Sequence, residues 1–351
     1  MVAWAIIYKI APAMLPQDRL IESVYCPPRA DRPWRLEELL GSDLRYFAYG
    51  RQALIAAFKL AGIEPGDPVL MPEFICREVP EAARAISARP AYLRVDPQLG
   101  CADDPAQWPK AKAVIAVNYF GFAQNLEPFR RYCARNKALL IEDNAHGLFS
   151  RDDEGRWLGT RGDAGIFSLR KTLTLPNGAA LALPNESSLV MPRQDPFGAA
   201  PAPRYRIKQA ARRIAPWIGF RSIRAGLKFL RRWRKPPTSS PGPRDSKPCA
   251  ALSRPLDVGN PEVELRRRQE LYRFAERIAA GKGAQSVFTT LPPLTAPYVY
   301  PFYAEPRSLP AIRAALDEAG LDIHHWPLLP EEVQAAASPH HLKLWCVPFL
   351  W

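Results

Sequence analysis

Short apolar runs alternate with amphipathic segments between residues 49 and 183. Short continuous apolar runs are typical of buried parallel strands, whereas apolar residues at helical spacing predict helices. We predict strands over Pro68–Met71, Pro90–Val95, Ala113–Val117, Ala138–Glu142 and Ala179–Leu183, and helices over Ala53–Leu60, Arg77–Ser87 and Leu126–Asn136. This alternation predicts an α/β fold, in which a mostly parallel, seven-stranded type of sheet is sandwiched by helices.

The pattern changes on both sides of this region, and we predict four parts. Residues 1–40 are poorly periodic and are expected to form an N-terminal arm, followed by a large α/β domain over 41–193. Residues 194–250 form a basic, proline-rich insertion, and 251–351 are predicted to be a small C-terminal α+β domain. The last part is expected to contain helices over 255–280 and 309–319 and strands over 298–303 and 321–325.

The charge of the chain is concentrated in the insertion. The formal net charge is +13, and residues 204–235 contain twelve Lys and Arg residues without Asp or Glu, so the rest is close to neutral. Within this segment Phe220, Ile223, Leu227 and Leu230 make one apolar stripe between the cations. Three interpretations stay open: a helix packed on the main domain, peripheral contact with an anionic membrane, or contact with nucleic acid, which we do not expect because no such motif accompanies the cluster.

The six cysteines have no CxxC spacing, so neither a zinc site nor a disulfide framework is expected. No apolar stretch is long enough to span a bilayer, and the apolar run Val2–Ile7 lacks a preceding Lys or Arg. The sequence therefore predicts a cytoplasmic protein, with contact at the membrane surface as the remaining alternative.

Candidate chemistry lies between Ile141 and Gly178. An apolar run delivers Asp143 to the end of a predicted strand, His146 follows three residues later, and Ser168 and Lys171 follow the next apolar run. These residue types suit pyridoxal 5′-phosphate (PLP), which needs an acid beside its pyridine nitrogen, a phosphate cradle and a lysine for a Schiff base. If residues 143–146 form a helical turn, Asp143 and His146 face one ligand.

Each of these residues also has a purely structural interpretation. Asp143 can cap the following segment, a lone histidine is usually structural or solvated, and most lysines are surface groups. The turn of Gly50, Arg51 and Gln52 opens a predicted helix, whose free amides suit a phosphate. Most such turns bind nothing, so this signal is weak alone.

Taken together, the motifs resemble the DegT/StrS family of PLP-dependent sugar aminotransferases, which has the aspartate-aminotransferase-like fold (fold type I). The resemblance is clear over residues 49–183 and fainter over 272–327. Its motifs are Gly50-Arg51-Gln52-Ala53-Leu54, Gly62 through Leu70, Tyr119-Phe120-Gly121, Ile141 through Gly147, Gly159 through Asp163, and Ile166 through Lys171. In the family four residues usually separate the phosphate-binding serine from the lysine, whereas only Leu169 and Arg170 do so here.

The resemblance implies a role for each site residue. Asp143 would pair with the pyridine nitrogen, and His146 would lie near the ring and its 3′-oxygen. Ser168 and the residue 50–52 turn would hold the phosphate, and Lys171 would form the Schiff base. The position that stacks on the ring falls near Phe74–Cys76, which makes Cys76 the remaining candidate cofactor contact.

The resemblance also implies an activity. An amino donor, often glutamate, would convert PLP to pyridoxamine phosphate, which would then aminate a nucleotide-linked keto sugar in polysaccharide or secondary-metabolite synthesis. Lys171 would move the proton between the substrate carbon and the cofactor, and a homodimer would complete the site. The alternative is a catalytically inactive relative that binds a partner or a membrane.

Overall fold

The computed structural model describes residues 16–25, 27, 29–198, 205–207, 209–210, 246–335 and 337–350. The described N-terminal part forms helix α1 (Pro16–Tyr25), strand β1 (Arg29–Trp34) and helix α2 (Leu36–Leu40). Ile21, Val24 and Tyr25 of α1 are buried in the main core. The predicted arm thus contains regular elements, which its irregular apolar spacing did not indicate.

A seven-stranded sheet organises residues 42–184. Its strands are β2 (Ser42–Phe47), β3 (Pro68–Pro72), β4 (Arg89–Leu93), β5 (Ala113–Val117), β6 (Leu139–Asp143), β7 (Ala164–Phe167) and β8 (Ala179–Pro184). Their order is β2-β8-β7-β6-β5-β3-β4. The pairs within β4-β3-β5-β6-β7 are parallel, and β8 is antiparallel to both β7 and β2. The predicted α/β fold class is confirmed.

Helices connect these strands. They are α3 (Gly50–Leu60), α4 (Glu78–Arg84), α5 (Glu127–Asn136) and the single turn α6 (Leu169–Thr172). The strands and helices predicted for this region are present with small shifts at their ends. Because β5, β6 and β7 are parallel, their carboxyl ends lie at one edge of the sheet, where open α/β sheets bind ligands.

The C-terminal part builds a second, smaller sheet. Its elements are β9 (Leu256–Val258), α7 (Pro261–Ala280), β10 (Gln285–Ser286), β11 (Val299–Tyr303), α8 (Leu309–Glu318), β12 (His324–His325), α9 (Glu331–Gln334), α10 (Pro339–Leu342) and β13 (Leu344–Pro348). An antiparallel sheet has the order β10-β11-β13-β12, and β9 pairs with β1 instead. The strand predicted over 321–325 shrinks to β12, since residues 321–323 form no ladder.

The basic segment 204–235 lies almost wholly outside the described residues, so its predicted apolar stripe and the three interpretations of it stay untested. Among the helices that the structure does describe, none has the length and hydropathy needed to cross a bilayer.

Two glycines let β7 approach the loop before it. A Cβ added at Gly165 would lie 1.7 Å from the carbonyl oxygen of Gly159, and one added at Gly159 would lie 2.4 Å from the Phe167 ring. Gly159 also has a positive φ of 87°. Neither position tolerates a side chain without backbone movement.

We therefore expect Gly165→Ala to destabilise the fold by about 3 kcal/mol or more, since overpacking against backbone cannot be relieved by a rotamer change. Gly281→Ala is the matched control, because Gly281 has a helical φ of −62° and its nearest added contact is 3.4 Å. Urea unfolding should show the control unchanged or slightly more stable. Equal stability of the two variants would contradict this account.

Candidate active site

Three strand ends bring polar side chains together. Asn118 follows β5, Asp143 ends β6, and Ser168 follows β7, and all three are buried. The backbone amide of Asn118 also donates to the carbonyl oxygen of Asp143 at 3.0 Å. The sheet register therefore places Asp143 beside its neighbours.

A buried ion pair ties these strand ends to the loop before β7. Glu142 is fully buried, and it accepts hydrogen bonds from Nε of Arg161 at 2.8 Å and from the Arg161 backbone amide at 2.9 Å. Asn118 donates to Glu142 at 2.8 Å and accepts from Nη2 of Arg161 at 2.9 Å. Because each charge is paired, the network holds the residue preceding Asp143 rigidly.

The segment after Asp143 is a turn, so the predicted helical arrangement of Asp143 and His146 is wrong. Nδ2 of Asn144 donates to the carbonyl oxygens of Gly147 and Leu158 at 3.1 and 2.6 Å. Oδ1 of Asp143 accepts from the Ala145 amide at 3.0 Å. These side-chain bonds compete with helical backbone bonds, yet Asp143 and His146 still meet in one site.

His146 lies between two aromatic rings. Its ring is nearly parallel to those of Phe120 and Tyr298, at centroid distances of 5.7 and 4.7 Å and interplanar angles of 2° and 4°. Trp326 closes the edge at 5.1 Å. This burial, followed by the nearby charge of Lys171, holds the pKa of His146 well below its ordinary value, so the imidazole is neutral.

Lys171 meets His146 directly. Its Nζ lies 3.0 Å from Nε2 of His146, which in its neutral form with Nδ1 protonated accepts a hydrogen bond from the amine. Burial is the main cause that lowers the pKa of Lys171, and the positive charge of Arg170 lowers it further. The negative charge of Asp143 acts in the opposite direction. Compared with an ordinary surface lysine, a larger fraction of this amine is therefore neutral, and the neutral form is the one that acts as a nucleophile.

The short spacing between Ser168 and Lys171 is accommodated by α6. The Lys171 amide donates to the Ser168 carbonyl oxygen at 3.0 Å, so Ser168 begins the turn and Lys171 lies one turn later. A buried triad on α7 supports this turn: Glu264 pairs with Arg267 and Arg268, and Nη2 of Arg268 donates to the Thr172 carbonyl oxygen at 3.4 Å. The C-terminal part thus anchors the lysine segment.

Cys76 and the predicted stacking region lie beside the same groups. The charges of Lys171 and Asp143 both act on Cys76, and burial is the main cause that raises the pKa of its thiol. Phe74 packs 5.8 Å from Trp326, whose ring also contacts Phe120 at 5.1 Å. The turn around Trp326 is therefore packed by this residue, and it contributes to the wall of the site.

The turn that opens α3 has Arg51 and Gln52 side chains that contact other parts of the protein. The side chain of Arg51 pairs with Glu78 and Glu81 of α4 at 3.2 and 3.5 Å. Oε1 of Gln52 accepts from the amides of Ala48 and Tyr49 at 3.1 Å each. Both side chains are engaged within the protein, and the expectation that this turn holds a phosphate through its backbone amides stays a prediction.

The donor set fits PLP. The second carboxylate oxygen of buried Asp143 has no hydrogen-bond partner within the part of the chain that the structure describes, and burial, as the main cause, raises the pKa of this acid. The Ser168 side chain makes no cap hydrogen bond. A buried acid, a neutral imidazole, an amine and a hydroxyl thus lie together at the carboxyl ends of the strands. The individual roles assigned to these residues from sequence remain predictions.

Several site residues escaped sequence reasoning. Asn118 follows an apolar strand as Asp143 does, and that parallel could have revealed it. Arg161 lies inside the matched run Gly159–Asp163, but its partner Glu142 is a long-range contact. Phe120 and Tyr298 read as ordinary core aromatics, and nothing in their local sequence indicates that they enclose a histidine.

The comparisons with known proteins agree with this geometry. Residues 47–190 match the model of the DegT/DnrJ/EryC1/StrS aminotransferase family. The predicted resemblance to this family is confirmed. The match includes Asp143, His146, Ser168 and Lys171, and it ends before the C-terminal sheet.

A curated relative is the L-glutamine:2-deoxy-scyllo-inosose aminotransferase of Streptoalloteichus tenebrarius. It is 31% identical over 137 residues, which cover 37% of this chain and 32% of the relative. The matched region therefore spans about a third of the length of this relative.

Two solved structures share the fold over most of the chain. TlmJ from Streptoalloteichus hindustanus, an aminotransferase, superposes with a TM-score of 0.60 at 20% identity, covering 95% of this chain and 85% of its own. NtdA from Bacillus subtilis, solved with bound cofactor PMP, gives a TM-score of 0.54 at 16% identity, covering 98% of this chain and 75% of its own. At these identities the likeness establishes the fold.

We expect Arg161→Gln to lower the free energy of unfolding by about 3–5 kcal/mol, because it leaves the Glu142 charge buried without its partner. Arg131→Gln is the matched control, since Arg131 pairs with Glu127 on the surface of α5 and both side chains are more than half exposed. Such a pair contributes less than about 1 kcal/mol. Chemical unfolding measures both variants, and a similar small cost for the two would contradict the role of the network.

The low pKa of His146 predicts an acid dependence. The unfolded chain takes up a proton on this imidazole near its ordinary pKa of about 6.5, while the folded protein keeps it neutral, so acid favours unfolding by at most about 1.4 kcal/mol per pH unit. Below about pH 6.5 the melting temperature of the wild type should therefore fall more steeply than that of His146→Gln. If the melting temperatures of the two proteins fall by the same amount between pH 7.5 and 5.5, this prediction is wrong.

Proposed function

We propose that this protein is a PLP-dependent aminotransferase acting on a ketone of a sugar or a cyclitol. The observation that carries the proposal is the contact between Lys171 Nζ and His146 Nε2 at 3.0 Å, beside a buried acid at the end of β6. The family match over this region supports the reaction class. PLP, when bound, supplies an electron sink for the substrate C–H bond.

The residues of this chain would do the remaining chemistry. Asp143 holds a negative charge where a ring nitrogen would carry a proton, and this attraction is strong because the acid is buried. Ser168 and the N-terminal amides of α3 would hold the phosphate. Lys171 would hold the cofactor through its amine and would carry a proton at its Nζ, with neutral His146 as its hydrogen-bond acceptor.

The substrate class follows from the relatives and the resemblance. The S. tenebrarius relative is named for an inosose, a cyclic polyol ketone, and for L-glutamine as donor. The resemblance to the family suggests a nucleotide-linked keto sugar with glutamate as the donor. We favour the nucleotide-linked substrate, and we propose a homodimer in which the partner subunit completes the site. The surface contact suggested for residues 204–235 remains a separate prediction.

Absorbance and borohydride trapping test the proposal. The full chain with PLP should absorb near the visible edge, and borohydride should then fix the cofactor on Lys171, as peptide mass mapping would show. Lys171→Ala should lose this trapping and reduce transamination by several orders of magnitude, because it removes both the anchor and the proton carrier.

Lys112→Ala is the control, since Lys112 pairs with Asp67 at 2.7 Å at the amino end of β5, opposite the strand ends that form the site. It should be trapped like the wild type. A wild-type protein that takes up no PLP would overturn the enzyme proposal in favour of the inactive relative. Trapping on another lysine would overturn the assignment of Lys171 alone.

A further inference from the structure

We propose that Arg170, which sequence reasoning had not placed in the site, is the cationic side chain that binds the phosphate of the cofactor. This inference rests on the proposed function, and it deepens it by assigning a residue that neither the motif nor the family match assigns. The resemblance implied that the turn of residues 50–52 holds the phosphate, and within that turn the guanidinium of Arg51 pairs with Glu78 and Glu81.

The side chain of Arg51 is already engaged by acidic residues. Its guanidinium forms ion pairs with both Glu78 and Glu81, on the helix that follows β3. Because two carboxylates already offset the positive charge of this side chain, it attracts a phosphate less strongly than a guanidinium without such partners would. Gln52 is engaged as well, since its Nε2 donates to the Ser246 carbonyl oxygen at 3.1 Å.

The side chain of Arg170 lies near the turn that opens α3. Its guanidinium carbon lies 5.8 Å from the centre of the Tyr49 ring, and Tyr49 is the residue immediately before α3. Two backbone bonds fix this relation: the Arg170 amide donates to Gly178 at 3.2 Å, and the Gly178 amide donates to Ala48 at 2.9 Å. The side chain thus lies beside the N-terminus of α3.

The positive charge of Arg170 is not offset by a carboxylate among the described residues. Arg170 is exposed, and within the described ranges it forms no ion pair with a carboxylate. Ser168, two residues earlier, is buried, with 7% of its surface exposed, and makes no cap hydrogen bond. Among the described residues, a helix N-terminus, a serine hydroxyl that makes no cap hydrogen bond and a guanidinium without a carboxylate partner together match a dianionic phosphate.

Pyridoxal separates this role from a merely structural one, because it carries the same ring and aldehyde as PLP but lacks the phosphate. The measurement is the dissociation constant of each compound for the full chain freed of cofactor, followed by absorbance. The quantity of interest is the ratio of the pyridoxal constant to the PLP constant. It reports the contribution of the phosphate contacts alone.

We expect Arg170→Gln to lower this ratio about tenfold or more, as for a lost charge-assisted hydrogen bond, and to leave pyridoxal binding unchanged. Arg170→Lys keeps the charge without the fork of donors, so it should lower the ratio less. Arg131→Gln, which removes an exposed and distant charge, should leave the ratio at its wild-type value. Melting temperatures confirm that each variant is folded.

Three results would overturn the assignment. In the first, Arg170→Gln leaves the ratio unchanged; in the second, it weakens PLP and pyridoxal equally, as a structural residue would. In the third, the ratio of the two dissociation constants falls in Arg51→Gln and not in Arg170→Gln. Failure of the proposed function is distinguishable, because the wild type would then show no borohydride-reducible link with either compound.

Discussion

The buried pair of Glu142 and Arg161 is the interaction on which the geometry of the site depends. A fully buried carboxylate is costly to desolvate, and only a paired guanidinium with additional hydrogen bonds offsets that cost. Asn118 supplies those bonds from the neighbouring strand. The pair thereby joins two parallel strands, at their carboxyl ends, to the loop before a third. Asp143 follows Glu142 directly and is held in place by the same contacts.

Burial then sets the electrostatic character of the site. Desolvation favours the neutral forms of an acid, an imidazole and an amine alike, and it shifts the pKa of Asp143 upward and those of His146 and Lys171 downward. The mutual attraction of Asp143 and Lys171 opposes these shifts. Burial therefore brings the pKa of the acid and the pKa of the amine closer together than they are in water.

Much of this architecture could be predicted from sequence, and the failures have physical causes. The strands were found because each is an apolar run with a polar residue at its end. The helix predicted over 77–87 ends early because Ser87 has a left-handed φ of 61°, and serine gives no such signal in sequence. The helix expected at His146 was prevented by the Asn144 side chain, and the partner of Arg51 lies on another helix. Long-range pairing, unlike local periodicity, leaves no trace in a single sequence.

The antiparallel pairing of β7 and β8 has a consequence for how the molecule can vary. The segment that carries Lys171 connects two hydrogen-bonded neighbours in the sheet, so both of its ends are clamped a few ångströms apart. The position of the amine is consequently set by the sheet together with the triad on α7. Loops and helices that touch neither can change length or composition, and with them the substrates that fit the site, without moving the amine relative to the acid on β6.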